Sequence, residues 1–171
     1  YSDHAWIAKP LAAVTRLFLR DHIGCMQRRY GVFDLATIVP TSAAKRAKRG
    51  FSPLERIIEQ HGDWAVEWEP EALVKVETGG TRPARGTVDP SHYAPGDGYE
   101  VTGCNVLVFD DIWTSGSTVA SVAQMLRNEG ATGVVALTIG RQLDEKGSGS
   151  SISAEARETR PYNPDWCVIC G

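Results

Sequence analysis

The stretch Val106–Thr118, VLVFDDIWTSGST, constrains the fold of this chain more than any other. Its four leading apolar residues, Val106 to Phe109, belong to a strand expected over Asn105–Phe109, and a strand apolar on both faces needs a covering layer on each side. Two carboxylates, Asp110 and Asp111, follow at once, and the small and hydroxyl residues Thr114–Thr118 form a turn. An amphipathic helix is expected from Thr118 to Asn128, with Val119, Val122 and Leu126 on one face and Gly130 as its stop. Val134–Ile139 reads as another strand. A strand, helix, strand unit of this length belongs to a parallel sheet, so the expected fold class is α/β.

Other segments fit the same architecture. Leu11, Val14 and Phe18 recur at helical spacing, predicting a helix over Pro10–Ile23, and Leu35–Val39 reads as a short buried strand ending at Pro40. Ser52, Pro53 and Glu55 have the spacing of a capping box, predicting a helix that His61 and Gly62 close. Ala72–Val76 is a weaker strand candidate, and Glu77–Glu100, rich in Gly and Pro, reads as a long functional loop or a disordered connector. With 171 residues the chain is one domain's worth. The expected domain spans 1–141, and 142–171 an extension that is only partly ordered.

In an open parallel sheet, ligands sit beyond the carboxyl ends of the strands, where Asp110 and Asp111 fall. Adjacent carboxylates at a core edge repel and are costly to desolvate, which suits a pair that accepts hydroxyls or balances a divalent cation. The turn after them offers Gly116 for close backbone approach and a helix N-terminus for an anion. A ligand with a phosphate, a diol and Mg²⁺ would use all of these groups, whereas a solvated turn with capping hydroxyls would use none. Charge is split along the chain. Residues 1–60 hold ten Lys/Arg against five Asp/Glu, and residues 61–171 eight against sixteen, so a net charge of −3 conceals +5 and −8. A basic front half suits an anionic ligand, although a solvated surface gives the same count. Lys45, Arg46, Lys48 and Arg49 concentrate that charge just beyond the first strand, where they could meet a pyrophosphate or, alternatively, nucleic acid.

VLVFDDIWTSGST resembles, along its whole length, the phosphoribosyl pyrophosphate (PRPP) signature of type I phosphoribosyltransferases. The resemblance implies a mostly parallel central sheet flanked by helices with a small hood. It also implies Mg²⁺-dependent attack of a nucleophile on the ribose C1 with loss of pyrophosphate. By the same resemblance Asp110 and Asp111 would be the catalytic pair on the ribose hydroxyls, and Thr114, Ser115, Gly116, Ser117 and Thr118 would hold the 5′-phosphate. No residue is implied as a direct metal ligand; Mg²⁺ would be held through PRPP beside the two aspartates.

IVPTSAAKRAKRGFSPLERI, residues 38–57, is similar to a segment of ComF-like phosphoribosyltransferases, a family associated with competence and DNA uptake. Its basic loop would then bind pyrophosphate, and Arg82 and Arg85 would lie on a flexible loop closing over the reacting centre. Hypoxanthine-guanine enzymes carry an aspartate where this chain has Thr114, which counts against that substrate. Trp113 has two readings, reaching toward the acceptor or packing under the loop, while Tyr93 is expected to pack and His92 to lie at the surface.

The expected activity is therefore transfer of a phosphoribosyl group to an unidentified nucleophile. A PRPP-sensing or DNA-uptake accessory protein without turnover is the alternative, and a basic nucleic-acid binder a third reading. No apolar run reaches the length of a membrane span, so the expected location is cytoplasmic, and a homodimer is the commonest assembly for such a chain. Cys25 and Cys104 are expected to be buried thiols, and Cys167 and Cys170 form one C-x-x-C, half of a zinc site.

Overall fold

The computed structural model describes residues 5–77, 86–142 and 167. Helix α1 spans Ala8–Tyr30 and leads to strand β1, Leu35–Ile38. Two short helices follow, α2 over Ala43–Arg49 and α3 over Pro53–Ile58. Strands β2, Leu73–Lys75, and β3, Tyr93–Pro95, pair antiparallel as a separate ribbon. Strand β4, Asn105–Trp113, helix α4, Ser117–Asn128, and strand β5, Gly133–Arg141, complete the described chain.

The main sheet has the order β1-β4-β5 and is parallel throughout. Ala36 of β1 also makes a parallel bridge to Trp68, on the side away from β4. The path from β1 through α2 and α3 therefore returns on one side of the sheet, and the path from β4 through α4 returns on the other. The crevice between the carboxyl ends of β1 and β4 is the topological switch point, where an open α/β sheet binds its ligands. The fold class expected from the sequence is the one observed.

Both faces of β4 are covered, as its sequence requires. Val106 and Val108 pack with Val119, Val122, Met125 and Leu126 of α4, whereas Leu107 packs with Leu19 and Met26 of α1. Each of the four β4 residues from Val106 to Phe109 is fully buried. At the opposite end of the strand, the Asn105 amide donates to the Tyr30 and Val32 carbonyls at 3.0 and 2.9 Å, and the Asp34 carboxylate accepts from the Asn105 backbone N–H. Those bonds fasten the turn between α1 and β1 to the start of the central strand.

Several boundaries differ from expectation. Helix α1 continues past Ile23 to Tyr30, because Gly24 lies among good helix formers and Gly31 supplies the left-handed stop at φ 90°. The basic segment expected as a loop is helix α2: Ser42 caps it by accepting from the Lys45 N–H, and Gly50 ends it at φ 74°. Ser52 makes no capping bond and lies 3.4 Å from the Thr41 hydroxyl, while Glu55 pairs with Arg46, so the expected capping box is replaced by tertiary contacts. Helix α3 stops at Ile58, whose carbonyl accepts from the Trp64 indole N–H at 2.7 Å. Within the expected long loop, β3 is a strand paired with β2. Cys25 and Cys104 are half-buried rather than buried.

Replacing Asn105 with Ala should lower the unfolding free energy by roughly 1–3 kcal/mol, because it strands two carbonyls and removes both side-chain bonds. Urea unfolding measures the change, and a loss within error would show that β1 pairing and the bonds between Asp34 and the residue-105 backbone suffice to hold the turn.

Candidate functional site

The acids at the switch point stand in the strand itself. Strand β4 does not end at Phe109 but runs on to Trp113, with Asp110 opposite Thr138 and Trp113 opposite Arg141. Successive residues of an extended strand face opposite ways. Asp110 is accordingly buried, 9% exposed, on the face of Val106 and Val108, and Asp111 is half-buried. Each carboxylate accepts from the next backbone N–H, Asp110 from Asp111 at 3.0 Å and Asp111 from Ile112 at 2.8 Å.

Burial pushes the Asp110 carboxyl from its ordinary value near 3.8 up to about 7, and the neighbouring Asp111 charge pushes it the same way. Tyr93 lies close enough to share this environment. Burial raises the pKa of its phenol first, and the Asp110 charge adds to the rise. Lys75 reaches the same point from β2, its ammonium 3.4 Å from the Tyr93 hydroxyl and 5.1 Å from the ring centroid. The expected packing role of Tyr93 is observed, since it belongs to the main core. Sequence reading missed Lys75 because a single lysine in a three-residue strand has no local signature; only the β2–β3 pairing carries it to Tyr93.

The turn after β4 has the compactness a phosphate cradle needs. Gly116 adopts φ 77° and ψ −6° at the N-cap of α4, and a Cβ there would meet the Trp113 indole, with Cε2 at 2.8 Å. Both the dihedral and the contact demand glycine. Trp113 thus packs under the loop and against the core, which decides between its two readings. The Ser115 and Ser117 hydroxyls lie 2.9 Å apart, and Ser115 also accepts from the Ser117 N–H at 3.4 Å. Thr114, Ser115 and Thr118 are exposed at the mouth, beside the first turn of a twelve-residue helix, where the leading N–H groups have no acceptor within the helix.

Helix α2 starts shortly beyond β1, whose end is tied to β4 by the bond from the Val39 N–H to the Phe109 carbonyl. Lys45, Arg46, Lys48 and Arg49 are all exposed on it. Arg46 is held by Glu55, whose carboxyl is raised mainly by burial and drawn back by the Arg46 charge. Arg82 and Arg85 lie outside the described residues. His92 is close to Asp89, its Nε2 3.5 Å from the carboxylate.

A separate cavity of about 610 Å³ lies beside α3, lined by Ile58, His61, Trp64, Trp68 and Pro70 among others. It flanks the bridge to β1 and not the carboxyl end of β4, and no sequence motif marks it.

No family model matches the chain, and no curated protein matches it by sequence. Among solved structures it is similar to a hypoxanthine phosphoribosyltransferase from Staphylococcus aureus, with 16% identity and a TM-score of 0.38 over 78% of this chain and 60% of that one. It is also similar to a hypoxanthine-guanine phosphoribosyltransferase from Bacillus anthracis, with 14% identity and a TM-score of 0.41 over 86% and 76%. An allosteric regulatory enzyme of purine biosynthesis matches at 24% identity and a TM-score of 0.39, over 72% of this chain and 26% of that enzyme. The chain thus spans 60% of the first of these proteins and about a quarter of the third. Among the described residues no helix is long and apolar enough to cross a membrane.

The folded state favours protonated Asp110, so its contribution to stability is full below about pH 4 and is lost as pH rises through about 7. The two values differ by about 4 kcal/mol in the ligand-free protein. Asp110→Asn should therefore gain stability relative to the parent, about 1 kcal/mol at pH 4–5 and about 4 kcal/mol at pH 8. Urea unfolding at both pH values checks this, and an equal difference at the two would show that Asp110 is not desolvated.

Proposed function

We propose that the chain binds Mg²⁺-PRPP at the β1–β4 switch point and transfers its phosphoribosyl group to a nucleophile, releasing pyrophosphate. One observation carries this reading: a buried and a half-buried carboxylate at the end of the central strand lead directly into a glycine-dependent turn and a helix N-terminus. Asp110 and Asp111 accept hydrogen bonds from the two ribose hydroxyls. The Thr114–Thr118 hydroxyls and the first N–H groups of α4 hold the 5′-phosphate, as the dipole of a helix start favours. Lys45, Lys48 and Arg49 on α2 face the departing pyrophosphate, while Arg46 remains committed to Glu55. Binding in this geometry positions the ribose and opposes the charge that develops on the leaving group.

The site suits a hard divalent cation. Its donors are carboxylate oxygens, and Asp110, raised to about 7 by burial and then by the Asp111 charge, is a carboxyl whose ionised form a cation would favour. When bound, Mg²⁺ would neutralise the pyrophosphate as it leaves. The acceptor stays unspecified in this reading, as does any role in DNA uptake.

Calorimetric titration of PRPP with and without Mg²⁺ tests the proposal, using the parent and an Asp110→Asn/Asp111→Asn variant. Binding is expected only with Mg²⁺ and should weaken by about 10–100-fold or more in the variant, the scale of losing hydrogen bonds to charged groups. Tight binding with no pyrophosphate release across nucleobases and amines would move the assignment to a PRPP sensor. No binding by the parent would sink both.

A further inference from the structure

A second cluster of chemically capable side chains lies on α1, away from the proposed PRPP site. His22 and Cys25 stand three positions apart on one helical face, and Cys167, only 5% exposed, joins them from the far end of the chain. One ligand atom of each, an imidazole nitrogen and two Sγ, lies within 4.8 Å of the others. We propose that His22, Cys25 and Cys167 bind a zinc ion that fastens the C-terminal segment to α1.

The donor set selects the metal. Two thiolates and an imidazole suit a borderline cation with tetrahedral preference and are poor partners for Mg²⁺ or Ca²⁺. Zn–S bonds near 2.3 Å and Zn–N bonds near 2.1 Å put tetrahedral ligand atoms roughly 3.5–3.8 Å apart, so closure needs side-chain movements of about an ångström. The surroundings serve such a site. Phe18 holds the His22 ring at a centroid distance of 4.9 Å, and the Arg28 guanidinium donates to the Cys25 sulfur at 3.2 Å, an outer contact of the kind that orients a thiolate. Two thiolates and one neutral imidazole would leave the zinc complex without net charge, with a water completing the tetrahedron.

The location makes this ion structural. Tyr30, at the end of α1, bonds through its carbonyl to Asn105 at the amino end of β4, and Cys25 and His22 lie about 7.5 and 12 Å back along the helix at 1.5 Å per residue. The PRPP site stands at the carboxyl end of the same strand. Ion and proposed reaction therefore sit toward opposite edges of the sheet.

The full chain, purified with reductant and without chelator, should contain about one zinc per molecule by elemental analysis. Replacing zinc with Co²⁺ should give visible bands of a tetrahedral site together with thiolate charge-transfer absorption. Cys25→Ser and Cys167→Ser should each lose the metal, and Cys104→Ser should keep it. Cys25→His retains a ligand, so it should keep the metal with weaker charge-transfer absorption, which separates loss of coordination from loss of fold. Metal-free parent protein, full zinc retention in Cys25→Ser, or a Cys25–Cys167 disulfide as the state of the purified chain would each overturn the proposal.

Discussion

Parallel pairing of β4 on both sides is the interaction on which the remaining structure depends. Because β1 and β5 both bond to it, β4 has no free edge along its apolar part, and α1 and α4 must cover its two faces. Parallel strands also bring every carboxyl end to one side of the sheet. The same pairing that builds the core therefore collects Asp110, the Thr114–Thr118 turn and the start of α2 at one rim. No separate device is needed to assemble that rim; it follows from the direction of three strands.

The chemistry at the rim is bought at the expense of the core. A valine at position 110 would continue the Val106–Val108 face at no electrostatic cost, whereas the aspartate there is desolvated beside a second carboxylate. Tyr93 of the β2–β3 ribbon lies near that carboxylate, and the Lys75 ammonium reaches the Tyr93 hydroxyl. Such local conflict between stability and residue choice is where a functional group is expected in an otherwise consistent fold.

Much of this was legible in the sequence because its signals were local. The apolar run into Asp-Asp, the hydroxyl turn and the 3.6-residue spacing of Val119, Val122 and Leu126 each concern adjacent residues, and the β4–α4–β5 unit follows from them. The strand's continuation to Trp113 was hidden, since polar residues after Phe109 look like a turn until the partner strand through Arg141 is known. Helix α2 was hidden by its charge: a run of four cations reads as solvated loop, although Ser42, two alanines and Gly50 supply a cap, propensity and a stop. Non-local contacts were the least readable. The Arg46–Glu55 pair and the Trp64 bond to Ile58 span only nine and six positions but depend on how α2, α3 and the following loop turn, and the meeting of Lys75 with Tyr93, eighteen positions apart, depends on the β2–β3 pairing.

The same limitation explains the cysteines. As a sequence feature, Cys167-x-x-Cys170 is half of a metal site with no second half nearby, and Cys25 is one thiol within an apolar helix. The three-dimensional structure places Cys167 against the His22 and Cys25 positions, so residues more than 140 positions apart share one cluster. Joining residues so distant removes much more chain entropy from the unfolded state than a local link would, since closure cost grows with loop length. On the proposed zinc assignment, that cross-link would sit toward the amino end of β4, away from the carboxyl end that carries Asp110 and Asp111.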